Sequence, residues 1–347
     1  MKDLKENLIY IAKRLALMIF TFLVIFIICF VLIRLLPISI PGEPGSDKEA
    51  IFHKTQEALG REYLGKDGEY HRTPIIQQLF AYVKNIFAPG VDESGRELSR
   101  WGYAWKGSYY FQSPSDILGR KLPATILINV YSMIVSIPIG LALGMFMALK
   151  KNKWEDYFLS VVVMLLISVP SFVYAFLLQL IFAYRLKWLD PMVMGIEEAG
   201  SWFNPGMIKS MILPVISMSL GSIAGYSRYT RAELTEVLTS DFMLLARTKG
   251  LSRTQATVRH AFRNSLVPIF PMILGEVLSV LSGSIIIETI FQVNGVGSLF
   301  LDSINTRDYD LFQFVSMFYI AIGLVGGLLV DISYSFVDPR IRMGGRK

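Results

Sequence analysis

Three carboxylates, Glu276, Glu288 and Asp331, fall inside apolar runs long enough to cross a membrane. An acid near the centre of a span costs about 2.5–3.5 kcal/mol on insertion scales, so each needs a partner or a polar path. Glu276 lies near the middle of the fifth run, and two readings stand for it. It either meets a cationic group on a translocation path or hydrogen-bonds to a neighbouring span or a second subunit. Glu288 closes the same run and is a candidate for an outer gate, whereas Asp331 reads as a structural acid of the sixth run. Covalent and metal chemistry lack the residues they need. Cys29 is the single cysteine, which excludes a disulfide or a cysteine metal cage within the chain. His53, His71 and His260 are too far apart in sequence for a local metal site, and there is no H-E-x-x-H or clustered nucleophile. No G-x-x-x-x-G-K-[ST] loop is present, so ATP hydrolysis by the usual phosphate-gripping machinery is not expected. Neither catalytic residues nor a cofactor of the chain's own are expected.

The elements that position these acids follow from the apolar runs. The 347 residues are 53% apolar and 18% charged, the balance of a polytopic membrane protein. About 20 apolar residues cross the hydrocarbon. Six stretches qualify: Ala12–Leu36, Pro123–Leu149, Tyr157–Tyr184, Met211–Tyr226, Leu266–Ile290 and Phe312–Val337. The fourth is short and rich in Gly and Ser. Lipid forbids unpaired backbone, which predicts helices and an all-α membrane fold with six transmembrane helices. Lys150, Lys151 and Lys153, the 228–263 loop, and Arg340, Arg342, Arg346 and Lys347 form short basic segments, as does the N-terminus. Both termini are therefore expected in the cytoplasm. The net charge of +6 is a topological signal rather than a nucleic-acid footprint.

The predicted division is a tail and first span over 1–37, an extracytoplasmic insert over 38–122, a core over 123–337 and a cytoplasmic tail over 338–347. In the insert, Thr73–Pro74 is expected to start a helix carrying Ile75, Ile76, Leu79, Phe80, Val83 and Phe87. Pro89–Gly90 ends it. Trp101, Tyr103, Trp105, Tyr109, Tyr110 and Phe111 suit either headgroup depth or a contact surface. Arg34 is expected to snorkel from span one. Gly140 with Gly144, and Gly221 with Gly225, are small-x-x-x-small pairs suited to close helix contact, while Pro138, Pro170 and Pro214 are expected to kink their spans.

Between the fourth and fifth runs the segment 240–263 carries helix punctuation. Ser240 or Asp241 can cap a helix running to about Lys249, with Gly250 in the left-handed position that follows. Ser252 and Gln255 then form a capping box that starts a second helix. Phe242, Leu245, Ala246 and Lys249 are predicted on one side, with Met243, Leu244 and Arg247 on much of the other. Such a short helix needs tertiary packing. It is either a hairpin on the membrane surface or a dock for a cytoplasmic partner.

The segment resembles the cytoplasmic loop of permeases from binding-protein-dependent ABC importers, in the oligopeptide, dipeptide and nickel branch. Ala246-Arg247-Thr248-Lys249-Gly250-Leu251 and the run His260–Pro268 carry the resemblance, although the general E-A-A positions here are Leu244, Leu245 and Ala246. Further matches in the same order are Arg120–Thr125, Glu288–Phe291 with Gly295-Val296-Gly297, Arg307-Asp308-Tyr309, Asp331 and Asp338–Arg342. The resemblance implies a prokaryotic plasma-membrane subunit of the first-permease type that moves peptides. It also implies coupling to an ATPase through Phe242, Leu245, Ala246, Arg247, Lys249, Gly250 and Leu251. Glu276 would then meet a peptide's amino terminus or basic side chains. The implied partners are a second homologous permease, two ABC ATPases that bind ATP and Mg, and an extracytoplasmic peptide-binding protein. An ion-coupled carrier or channel is the rival. It calls for relayed charges and an inverted repeat, neither of which is visible.

Overall fold

The computed structural model describes residues 2–37, 40–92 and 95–337. The tail pattern Asp338–Arg342 and the side chain of Arg247 lie outside the described residues. The chain divides into two compact units. One takes the described residues of 1–14, 124–297 and 325–347, and the other takes those of 15–123 and 298–324.

The fold is mostly helical. Helix α1 covers Lys2–Leu35 and leads into the insert, which holds α2 (Asp47–Ala58), strands β1 (Glu62–Leu64) and β2 (Tyr70–Arg72), and α3 (Ile75–Phe87). Helix α4 (Pro114–Leu149) follows, then α5 (Trp154–Ser168), α6 (Ser171–Leu178), which continues as a π turn over Gln179–Arg185, and α7 (Ile196–Ala199). Next come α8 (Pro205–Leu238), α9 (Asp241–Thr248), α10 (Arg253–Ala256), a second π turn (Thr257–Phe262) and α11 (Arg263–Ser265). Helices α12 (Phe270–Ser279), α13 (Ile285–Ile290), α14 (Val296–Asn305) and α15 (Tyr309–Val337) close the described chain.

Four helices are long and apolar enough to cross a membrane, and the number reaches six if two bent pairs each count as one span. Leu17, Phe20, Val161 and Met164 are 58–67% exposed, a surface suited to hydrocarbon rather than water. Two expected spans are not single helices. Tyr157–Tyr184 breaks at Val169–Pro170, and its halves bend by 99°. The ring of Pro170 holds Val169 extended, at φ −84° and ψ 125°, which a continuous helix does not allow. Leu266–Ile290 is broken twice. Pro268 and Pro271 stand around the first break, and Gly283 turns left-handed at φ +64° in the second. Ser284 then caps α13 by accepting Ile287 N–H.

The weakest predicted span proves to be the middle of α8, a 34-residue helix with Asn204 capping Gly206 N–H at 2.8 Å and Pro205 in its first turn. Its serines return their hydroxyls to the preceding turn, Ser217 to Leu213 O at 2.8 Å and Ser219 to Val215 O at 2.7 Å. Polar composition is thus satisfied inside the helix.

The insert corrects the all-α expectation, since β1 and β2 pair antiparallel with Tyr63 opposite His71. The turn between them holds Asp67-Gly68, with Gly68 at φ +81°, a standard hairpin device. Helix α2 was not anticipated from the sequence, although Ser46 caps it by accepting Glu49 N–H. In α3, Pro74 rather than Thr73 occupies the cap position, and no side chain caps the helix. Tyr82 stacks against Phe26 of α1 and meets Phe30 at a tilt, with ring centroids 6.0 and 5.4 Å apart. Of the aromatic stretch Trp105 is buried and meets Phe52 edge-on at 4.8 Å, while half-buried Tyr103 stacks on exposed Phe111 at 4.5 Å. Arg34 does not snorkel. It turns inward to Asp310, 3.2 Å away, because a buried carboxylate outcompetes the headgroup region as a partner.

Candidate functional site: a capped hairpin and two buried carboxylates

The 240–263 segment is an ordered hairpin. Gly250 adopts φ +91°, a backbone conformation that costs residues with a Cβ about 1–2 kcal/mol. Lys249 N–H makes the last regular helical bond of the turn, to Leu245 O at 3.1 Å, and Leu251 N–H reaches back across Gly250 to Ala246 O at 3.4 Å, the six-to-one bond of a left-handed helix stop. Ser252 and Gln255 form the expected reciprocal box. Ser252 N–H donates to Gln255 Oε1 at 3.2 Å and Gln255 N–H to Ser252 Oγ at 3.3 Å. The Ser240 hydroxyl donates to Val237 O at 2.6 Å, and Met243 N–H donates to Ser240 O at 3.1 Å.

The faces of α9 differ from the expected division. Met243 is buried, and Ala246 packs inward with Leu251 against Ala148, Leu234, Ala256 and Ala261. Phe242, Leu244 and Leu245 are 41%, 64% and 55% exposed, and Lys249 and Gly250 are exposed as well. Ala246 therefore belongs to the anchoring face, and Leu244 joins Phe242, Leu245 and Lys249 on the open one. A helix that is apolar on two sides has one face for its own chain and one left over.

One ion pair beside this region was missed from sequence. Arg231 of α8 grips buried Asp156 of α5 through two bonds of 2.5 and 2.7 Å, and Asp156 also accepts Asn152 N–H at 3.1 Å. Its sequence signal was the pair of adjacent acids, Glu155 and Asp156, that ends the basic 150–156 loop.

Glu276 joins three helices. Its Oε1 accepts from Ser136 of α4 at 3.2 Å and its Oε2 accepts from the Tyr226 hydroxyl of α8. Both oxygens are engaged within the chain, which is the hydrogen-bonded reading of the two. Glu276→Gln keeps an acceptor for this network and is expected to stay within about 1 kcal/mol of the parent. Glu276→Leu strands the two hydroxyls at about 1–3 kcal/mol each. Thermal unfolding in detergent separates the two variants. Selective loss of cationic cargo in Glu276→Gln would return the residue to a path.

Glu288 is buried in a cradle of backbone. Thr125 donates its hydroxyl to Glu288 Oε1 at 2.9 Å and accepts Val296 N–H at 2.9 Å. Gly283, Gly295 and Gly297 surround the carboxyl. A Cβ at Gly295 would sit 2.5 Å from both Glu288 Oε2 and Thr125 Oγ1, and one at Gly297 would sit 2.9 Å from Oε2. Three patterns far apart in sequence, Arg120–Thr125, Glu288–Phe291 and Gly295–Gly297, thus meet at one carboxyl. Asp331 pairs with Arg14 at 2.9 Å, with both side chains partly exposed. Glu276 and Glu288 each sit in their own network and do not share a hydrogen-bond partner among the bonds described.

Comparison with known proteins places these features in a family. The family described as binding-protein-dependent transport system inner membrane component matches residues 140–343, more than half of the chain. The dipeptide transport system permease protein DppB of Bacillus subtilis (strain 168) is 33% identical over 334 residues, covering 96% of this chain and 98% of that protein. The oligopeptide transport system permease protein OppB of Haemophilus influenzae is 31% identical over 334 residues, covering 96% and 99%. An inward-facing structure of the MetNI methionine ABC transporter aligns with a TM-score of 0.46 at 13% identity, covering 62% of this chain and 96% of that one. The chain belongs to the binding-protein-dependent transport system inner membrane components and is a multi-pass plasma-membrane permease subunit of a bacterial ABC importer.

Proposed function

We propose that this permease imports peptides and that the 240–263 hairpin is where an ATPase drives it. The single observation that carries the coupling half is the geometry of α9. Its inner face is anchored on its own chain, while Phe242, Leu244, Leu245 and Lys249 stand open beside the left-handed stop at Gly250. A short helix fixed at both ends acts as a rigid lever rather than a fraying loop. Closure of an ATPase pair against it would rock the spans between inward-open and outward-open states. The peptide cargo rests on end-to-end likeness to dipeptide and oligopeptide permeases.

In this proposal the chain is half of a heterodimeric pathway with a second homologous permease. Two ABC ATPases bind ATP and Mg, and an extracytoplasmic peptide-binding protein delivers cargo. Six spans put both termini in the cytoplasm. Segment 1–37 is the tail and first span, 38–122 the outer insert, 123–337 the core, and 338–347 the cytoplasmic tail. Glu288 belongs to the outer gate.

Reconstitution with these partners in proteoliposomes tests the proposal. Uptake of labelled di- and oligopeptides is expected to require ATP and the binding protein. Uptake that proceeds without the ATPase pair, or that follows an ion gradient, would sink it.

A further inference from the structure

A cavity of about 60 Å³ lies in the unit that contains the insert. Its lining includes Arg34, Arg61, Arg72, Trp105, Asp308 and Asp310. Arg61 and Arg34 both spend one guanidinium edge on the same carboxylate, with Arg61 Nη1 at 2.6 Å from Asp310 and Arg34 Nη2 at 3.2 Å. A buried cation, Arg61, and a half-buried one, Arg34, thus share one buried anion. Arg61 Nη1 also donates to Gln56 Oε1 at 3.2 Å, while Arg61 Nη2, Arg34 Nε and the indole Nε1 of Trp105 are buried with no hydrogen-bond partner. Arg61 is 3% exposed and Trp105 5%.

The neighbouring acids do not complete the set. Glu62 is occupied with His53 Nδ1 at 2.6 Å. Asp308 accepts Trp105 N–H at 2.6 Å and Lys106 N–H at 3.0 Å. Burial, with Asp310 adding to it, pushes the Asp308 carboxyl up to about 6, opposite to the direction a clamping arginine would impose. What the cavity lacks is an acceptor that also carries negative charge.

We propose that this cavity binds one carboxylate group, held by the free edges of Arg61 and Arg34 with the Trp105 indole as a third donor. Three unspent donors on residues that line one cavity suit an acceptor-only ligand better than water, which must also place its own hydrogens. One water needs only about 10–15 Å³ of such space, so the cavity has room for a carboxylate head. A doubly charged phosphate would bring more negative charge against Glu62, Asp308 and Asp310, with only the exposed Arg72 and Arg307 left to offset it. Guanidinium edges match the planar carboxylate. Exposed Arg72 and Arg307 add positive charge to the same cavity lining.

The test uses the full chain in detergent and sodium acetate against sodium chloride at matched ionic strength, read as thermal unfolding. Acetate is expected to raise the midpoint saturably, and chloride to leave it unmoved. Trp105→Phe keeps the ring and removes one donor, so half-saturation is expected to shift about tenfold. Arg61→Gln is the stronger variant but endangers folding, so Trp105→Phe decides the matter. Indistinguishable responses to the two salts, or an unchanged acetate response in Trp105→Phe, would overturn the site. A second arm rests on the proposed assembly and separates the sources of the carboxylate. If saturating acetate weakens capture of the extracytoplasmic binding protein, the group is a side chain or terminus of that protein. If capture is unaffected, it is a free ion.

Discussion

Gly144→Leu is expected to prevent α4 and α8 from packing and to remove most of the folded protein from detergent extracts. A Cβ at Gly144 would lie 2.6 Å from Ser227 O and 2.6 Å from Thr230 Cβ, and one at Gly140 would lie 2.6 Å from Tyr226 Cβ. The obstruction at Gly144 includes backbone, which cannot rotate aside as a side chain does. Overpacking typically costs about 1–3 kcal/mol, and this site stands at the upper end. The same approach brings Ser227 Oγ within 3.2 Å of Gly140 O, a second acceptor beside Ile223 O of its own helix at 2.6 Å. Gly225 provides the control, because a Cβ there meets nothing within 4 Å. Gly225→Ala is expected to leave the isolated chain as stable as the parent. Size-exclusion profiles after a temperature series distinguish the two variants. Equal survival of Gly144→Leu and the parent would show that α4 and α8 do not pack this way.

Gly295→Val is expected to break the cradle around Glu288 and abolish transport even where the protein still folds. The new side chain would begin 2.5 Å from both Glu288 Oε2 and Thr125 Oγ1. Thr125 must then release either Glu288 or Val296 N–H, both now held at 2.9 Å. A buried polar group left unpaired costs about 1–3 kcal/mol, and more when charged. Glu288→Gln isolates the role of charge, since it preserves shape and one acceptor. It is expected to retain more stability than Gly295→Val. Unfolding midpoints paired with peptide uptake read the result. A Gly295→Val protein with the parent's stability and uptake would remove the cradle from both folding and gating.

The sequence was most legible where local chemistry decides the structure. Gly250, Ser252 and Gln255 act through hydrogen bonds within a few residues, and each takes the expected geometry. It was less legible where distant segments decide. Apolar length alone made Leu266–Ile290 a span, yet Pro268, Pro271 and Gly283 divide it, because crossing length does not require one helix. The face assignment of Ala246 failed for a similar reason. A short helix with apolar residues on two sides does not reveal which side its own chain will cover. Arg34 looked like a terminal snorkelling residue because its partner, Asp310, lies 276 positions away. Gly221 and Gly225 have the same spacing as Gly140 and Gly144, but Gly225 has no neighbour within 4 Å of a Cβ. Glu288 was recognised as a notable acid. Its cradle of Thr125, Gly295 and Gly297 came from three separate patterns whose convergence is a tertiary fact.

The claim that the open face of α9 receives an ATPase is tested most directly with Leu245→Glu. Leu245 is 55% exposed, so the charge should leave the permease's own fold intact. A carboxylate buried in an apolar contact is costly when unpaired, so the partner should be lost. Tagged permease carrying Leu245→Glu is expected to keep its unfolding midpoint while retaining less than about a tenth of the co-purifying ATPase, a loss of roughly 1.4 kcal/mol or more in binding. Stoichiometric ATPase on a stable Leu245→Glu permease would contradict the account.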